Sequence, residues 1–302
     1  MNIVFITGSP RSGTTILGNI LNCHKQIAEW YEPYYLWGSY FPDKENDIWS
    51  DRRLNDQIIQ KIRREYRLFS KKANKPIVLD KSHRYAFNVK IVQDIIPEAK
   101  WIHILRDGRD VTLSIQKEWA KRKHMVKQKD FLMLFQTAIN MLKRQPFWRY
   151  RLMAVLYEIN SNPSINPLRY LNKAKWNGKT GWGLRFENWQ KYLQTHSTLQ
   201  FNAMQWVKAV EAVKKNWMFI PEQNKVEIRY EDLLSTPQNT LLKVFDTLEV
   251  DPTHDFFKSI PKLKKDNINK WVKEFTDEDI IQIKPILSPT INTLGYAPHN
   301  RW

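Results

Sequence analysis

Asn2-Ile3-Val4-Phe5-Ile6-Thr7-Gly8-Ser9-Pro10-Arg11-Ser12-Gly13-Thr14-Thr15 is the stretch whose reading decides the fold. Residues 2–7 are a short, β-branched apolar run closed by a glycine, the pattern of a strand buried in a parallel sheet. From Thr14 to Asn22, Ile16, Leu17, Ile20 and Leu21 recur at helical spacing, so a helix follows at once. Between a strand and a helix, a tight loop aims backbone N–H groups and the helix N-terminus at one point, which suits phosphate or sulfate. Gly8 and Gly13 admit backbone conformations closed to other residues. Arg11 adds a charged fork, and Ser12, Thr14 and Thr15 add hydroxyl donors.

The loop nearly matches the nucleoside-triphosphate pattern G-x-x-x-x-G-K-[ST], but Thr14 occupies the lysine position. The group that reaches the β- and γ-phosphates is therefore missing. A P-loop small-molecule kinase is retained as an alternative, with Asp80 as its magnesium-holding candidate.

The same grammar repeats outward from this loop. Pro76–Asp80 reads as a second strand and Val89–Ile96 as a helix stopped by Pro97. Trp101–Leu105 reads as a third strand, with helix resuming from Val111 to Trp119, and Val226–Tyr230 as a fourth, followed by Pro237 and a helix over about 240–248. Alternating strands and helices predict an α/β fold: a central parallel sheet flanked by helices, with ligands beyond the strands' C-terminal ends. The 302 residues, 42% hydrophobic and 26% charged, suffice for one large core. With no linker tract and no repeat, residues 1–302 read as one domain, carrying a mainly helical insertion at about 116–215 on the acceptor side.

Composition narrows the partners. A single cysteine, Cys23, excludes an intramolecular disulfide framework and a cysteine-rich zinc site, and fits a reduced cytoplasmic setting. The first residues lack the features of a signal peptide, and no stretch approaches the ~20 apolar residues that span a bilayer. The net charge of +17 attracts anions, and residues 117–151 hold ten Lys or Arg against two acids. Charge alone leaves nucleotides, acidic glycans, nucleic acid and anionic membranes open. A non-enzymatic nucleic-acid or membrane binder is thus the second alternative, although no helix-turn-helix, RNA-binding or zinc-finger signature is present. The run Phe147-Trp148-Arg149-Tyr150-Arg151-Leu152-Met153 fits peripheral membrane contact, but better a helix packed on the core by its apolar side.

A second clamp lies in Ile102-His103-Ile104-Leu105-Arg106-Asp107-Gly108-Arg109-Asp110-Val111-Thr112-Leu113-Ser114. Arg106 ends a strand, and Ser114 follows about two helical turns beyond Gly108, so both can converge on one anion. Two clamps suit a ligand with two separate phosphate-like groups.

Here the chain resembles the sulfotransferases that use 3′-phosphoadenosine-5′-phosphosulfate (PAPS), in particular their bacterial and protein-tyrosine branches. Ser9-Pro10-Arg11-Ser12-Gly13-Thr14-Thr15 looks like the family's 5′-phosphosulfate loop, and Arg106 with Ser114 looks like its 3′-phosphate pair. Arg229-Tyr230-Glu231-Asp232-Leu233-Leu234 resembles its late R-Y-E-D-L segment. Asn269-Lys270-Trp271 and Leu294-Gly295-Tyr296 resemble its C-terminal K-W and L-G-Y elements. The resemblance spans roughly 1–35, 76–118 and 225–296. It implies PAPS as donor, PAP as product, no metal, a hydroxyl acceptor and Lys270 closing over the nucleotide. Many members carry Lys where this chain has Arg11; the middle region matches nothing in the family and leaves the acceptor open.

The acceptor hydroxyl needs a general base. Glu32, in Trp30-Tyr31-Glu32-Pro33, is the first candidate because the chain returns it toward the loop and because the resemblance places a catalytic glutamate there. His83 is its rival, and Lys81 is assigned to the sulfuryl or leaving group; both leave the second strand's C-terminal end. His24 and His103 read as structural. Acceptors are ranked glycan or glycolipid, including acidic ones, then a small alcohol or phenol, then a protein tyrosine.

Overall fold

The structure is a computed structural model describing residues 2–41, 45–51, 54–128, 139, 147, 148, 150–153 and 181–302, with side chains up to Lys121 in the helix ending at Gln128. Five parallel strands form one sheet: β1 (Asn2–Thr7), β2 (Ile27–Tyr31), β3 (Ile77–Lys81), β4 (Lys100–Leu105) and β5 (Lys225–Arg229). Their order is β2-β3-β1-β4-β5, so β1 is central. After β1 the chain crosses to one edge; after β3 it returns to the other side. Ligands in open parallel sheets bind where such a reversal leaves a crevice, here beyond Thr7 and Leu105.

Helix α1 (Thr14–Asn22) follows β1, α2 (Tyr34–Tyr40) and α3 (Asp56–Ala73) follow β2, and α4 (Tyr85–Ile95) joins β3 to β4. Helix α5 (Gly108–Gln128) leaves β4, and α6 (Trp189–Thr195) and α7 (Thr198–Asn216) precede β5. The chain closes with α8 (Tyr230–Ser235), α9 (Pro237–Leu248), α10 (His254–Ser259), α11 (Trp271–Glu274) and α12 (Asp277–Thr293). Among the described residues no helix is long and apolar enough to cross a membrane.

Successive strand residues face opposite sides of a sheet, and β1 and β3 show it. Ile3, Phe5 and Val78 enter an aromatic-rich core under α2, α3 and α4. Val4, Ile6, Ile77 and Leu79 enter a second core with Leu17, Ile20 and Leu21 of α1. The same alternation sends Asp80 into the aromatic side and Lys81 toward α1.

Four strands match the sequence reading to within a residue or so at their ends. β2 is additional: Ile-Ala-Glu-Trp-Tyr is too short and too mixed to signal a strand, and pairing with β3 makes it one. α5 starts at Gly108 rather than Val111, because Asp107 accepts the backbone N–H of Arg109 and opens the helix early. α9 starts at Pro237, whose fixed φ suits a first helical position. Of the insertion read at 116–215, residues 129–138, 140–146, 149 and 154–180 lie outside the described residues, and its described part holds the end of α5 together with α6 and most of α7. In the run at 147–153, Tyr150 is buried and Phe147 packs on Phe69, while Trp148 and Leu152 are exposed; Arg149 lies outside the described residues.

Candidate active site

The loop from Gly8 to Gly13 is shaped by what presses on it. A Cβ on Gly8 would lie 2.5 Å from the Ile104 carbonyl oxygen of β4, and one on Gly13 would lie 2.4 Å from Tyr230 Cδ2. Gly13 also sits at φ +104°, where other residues are strained. Arg11 takes the left-handed region as well, at φ 69°, and turns its side chain to the crevice.

Seven of the residues assigned to the donor line one cavity of about 350 Å³: Arg11, Gly13, Thr14, Thr15, Arg106, Ser114 and Lys270. Pro10 and Ser12 are not on its wall. Both are off the crevice, Ser12 with its buried hydroxyl close to Gly8. The sequence reading missed Asp110, Lys117, Tyr230 and Asn267, which join Ile16 and Leu113 in completing the wall. Lys117 had a signal, three residues beyond Ser114 on the same helical face. Asn267 had none, because tertiary folding alone brings it here.

Arg106 ties the cavity together. Its Nη1 donates to the carbonyl of Arg11 at 3.0 Å and its Nη2 to that of Asn267 at 2.6 Å, while its guanidinium lies 4.5 Å from the Tyr230 ring centre. Its buried Nε has no hydrogen-bond partner. A buried donor left over at the wall of a cationic cavity is costly alone and ready for an anion. Asp110 accepts the N–H groups of Asn269 and Trp271 at 2.7 and 3.0 Å, which fixes Lys270 between them on the wall. Arg11 Nε donates to Ser114 Oγ at 2.9 Å, so the two predicted clamps already touch. Arg109, in contrast, is buried on Asp107 and between the rings of Trp271 and Trp302, away from the cavity.

The predicted catalytic side chains stand together next to Thr15. Lys81 Nζ donates to Thr15 Oγ1 at 2.8 Å and to Glu32 Oε1 at 2.6 Å. Burial pushes the Glu32 carboxyl up, but the charges of Lys81 and His83 and the Lys81 hydrogen bond outweigh it, so its pKa lies below the usual value. Burial also lowers His83, to about 4, against the opposing pull of Glu32, so its imidazole is neutral at pH 7. His83 Nδ1 faces the Tyr34 hydroxyl at 3.4 Å, and the Trp182 ring lies 6.5 Å from the imidazole. Sequence reasoning found neither aromatic. His24 and His103 sit where they were expected, one among Phe245 and Phe256, the other paired with Glu227 inside the sheet.

Asp80 departs from the kinase alternative. It is fully buried on the aromatic side of β3 and accepts the hydroxyls of Tyr66 at 2.5 Å and Tyr85 at 2.7 Å. A carboxylate facing away from the loop cannot hold a metal at its phosphates.

A parallel sheet, a glycine-bounded loop at its central strand and a cavity walled by four cations define an α/β protein built for a nucleotide-like polyanion. The family model of the sulfotransferase family matches residues 3–163, and the chain belongs to that family. It is an enzyme of sulfuryl transfer whose donor is PAPS. The solved sulfotransferase domain of the curacin biosynthetic pathway is similar at a TM-score of 0.53 and 16% identity, over 99% of each chain. The sulfotransferase domain of the Synechococcus PCC 7002 olefin synthase gives 0.51 and 16%, over 99% of this chain and 96% of that one. Sulfotransferase STF1 from Mycobacterium tuberculosis H37Rv gives 0.50 and 11%, over 95% and 76%. At such identities the shared property is the fold. No curated protein matches the chain.

Proposed function

We propose that the cavity holds PAPS between its two clamps and that Glu32 takes the proton of an acceptor hydroxyl. The observation that carries this reading is the convergence of Arg11, Arg106, Ser114, Lys117 and Lys270 on one cavity, with Lys81, Glu32 and His83 at its Thr15 end. Arg106 and Ser114 take the 3′-phosphate. The loop amides, Arg11, Thr14 and Thr15 take the phosphosulfate, and Lys270 covers the nucleotide.

In the transfer, the acceptor oxygen bonds to sulfur as the bond from sulfur to the bridging phosphate oxygen breaks. The electron pair leaves with PAP, and the hydroxyl proton goes to Glu32. As in phosphoryl transfer, the protein's share is alignment and stabilisation of charge on the leaving oxygen. Arg11 and Lys81 supply that charge. Lys81 also keeps Glu32 ionised, so the base stands ready before the acceptor arrives. A weak base suffices where the transition state is loose and the proton moves late.

For the acceptor we propose a glycan or glycolipid hydroxyl, acidic ones included, ahead of small alcohols and phenols. The +17 charge and the basic mouth at Lys117 and Lys270 support an anionic partner. Thermal-shift titration tests the donor site: PAP without metal is expected to stabilise the protein, while ATP with magnesium and a short DNA duplex are not. Stabilisation by ATP–magnesium alone, or by DNA alone, overturns the reading.

A further inference from the structure

Trp182 sits between the two halves of the active site on a backbone built to hold it. Its indole lies 5.9 Å from the Arg11 guanidinium and 6.5 Å from the His83 ring. Its carbonyl accepts from Trp119 Nε1 of α5 at 3.0 Å and from Gln205 Nε2 of α7 at 3.1 Å. The same Gln205 nitrogen donates to the Leu184 carbonyl at 2.7 Å. Gly183 between them takes φ +97°, and a Cβ there would meet the Gln205 amide at 2.5 Å. Beyond it, the buried Arg185 pairs with Asp47 at 2.9 Å and its N–H donates to the same carboxylate. Two core helices and a buried ion pair thus fix a half-buried indole that packs on the core and also reaches the active site.

Its surroundings tell what the ring is for. The Tyr34 ring centre lies 6.1 Å from that of His83, and Arg84 lies over Tyr34 at 4.4 Å. Glu32 is beside His83, where the acceptor proton leaves. An acceptor hydroxyl that gives its proton to Glu32 comes in beside these rings.

Resting on the PAPS reading, we infer that Trp182 is an acceptor-binding, specificity-determining residue that stacks a ring of the acceptor, so that the substrate class carries its hydroxyl on a flat ring rather than on an open chain. Two chemistries share that property: an aromatic phenol, and the C–H face of a pyranose. Stacking on an indole adds to what burial of a ring alone contributes, and so selects among hydroxyls of equal reactivity.

The test uses the full chain loaded with PAP and saturation-transfer NMR with three probes: 2-naphthol, methyl β-D-glucopyranoside and 1-octanol. At millimolar concentration one of the two ring probes is expected to bind in preference to octanol, and which one binds names the ring. Trp182→Ala is expected to weaken that probe at least tenfold and Trp182→Phe by less. Gly183→Ala, which keeps the indole but displaces its backbone, is expected to fall between. PAP affinity by calorimetry should stay within about threefold in all three variants, and a cooperative melt confirms that each is folded. Ring probes that fail to bind the PAP-loaded wild type, octanol binding equally well, or Trp182→Ala binding as the wild type does would each overturn the inference. Failure of the wild type to bind PAP would overturn the donor assignment instead.

Discussion

Asp80 and Lys81 are neighbours on β3, yet they belong to different worlds. Asp80 is enclosed by Tyr66 and Tyr85 under the sheet's aromatic face, its partners neutral hydroxyls fixed in the core. Lys81 emerges on the other face, between a loop threonine and an acidic side chain at the mouth of the cavity. Both are buried charges, and the strand's alternation alone separates them. The difference teaches that burial does not mark a catalytic charge. What marks it is a partner that a substrate can replace: Thr15 and Glu32 can be traded for reacting groups, and the tyrosines of Asp80 cannot.

If the two faces divide labour in this way, substitutions on the Lys81 side should change turnover or ligand affinity and spare stability. Those on the Asp80 side should do the reverse. The largest effect is expected for Glu32→Gln: turnover should drop ~10²–10⁴-fold, the usual span for loss of a general base, with PAP binding intact by calorimetry. Turnover at the wild-type level would pass the role to His83. Next comes Arg106→Ala, which removes charge-assisted hydrogen bonds worth ~1.5–3 kcal/mol each and should weaken PAP binding about 100-fold; unchanged affinity would remove Arg106 from the 3′-phosphate.

On the core face the expected effect concerns stability rather than turnover. Burial raises the Asp80 carboxyl from its ordinary 3.8 to about 7, against the pull of the two tyrosine hydrogen bonds. The folded protein therefore holds this proton more tightly than the unfolded chain. Its stabilising contribution is complete below about pH 4 and is lost as pH rises to about 7, on the order of 4 kcal/mol in all. Asp80→Asn should remove that slope from melting temperatures followed between pH 4.5 and 7.5, with turnover little changed; parallel slopes in the two proteins would contradict it. The smallest effect is a zero. Thr14→Lys restores the loop lysine, but with Asp80 on the far side of the sheet no ATPase activity should appear, and measurable ATP hydrolysis would reopen the kinase reading.

The donor side was legible from the sequence because its determinants are local. Gly8 to Thr15 is one uninterrupted stretch of loop and first helical residues, and Arg106 and Ser114 share one strand–helix junction, so spacing alone brings each clamp together. Residues whose placement depends on tertiary folding carried no such signal. Asn267 offers a backbone carbonyl, which no sequence pattern marks. Tyr230 was noted only as part of a motif, and its contact with Gly13 follows from the packing of α8 on the loop. Trp182 lay in a region that gave no readable pattern, and its role depends on Trp119 and Gln205, more than twenty residues away on either side. β2 escaped for a related reason: a five-residue strand is defined by its neighbour.

Arg106 bridges the carbonyls of Arg11 and Asn267, and Asp110 gathers the amides of Asn269 and Trp271. The cavity is thus sewn from stretches far apart in sequence, and residues 267–271 are translated after every strand of the sheet. A nascent chain that has exposed every strand of the sheet still lacks the far wall of its pocket while those last residues remain inside the ribosome. Donor capture is therefore a late event in biogenesis, waiting on residues 267–271 after every strand has emerged.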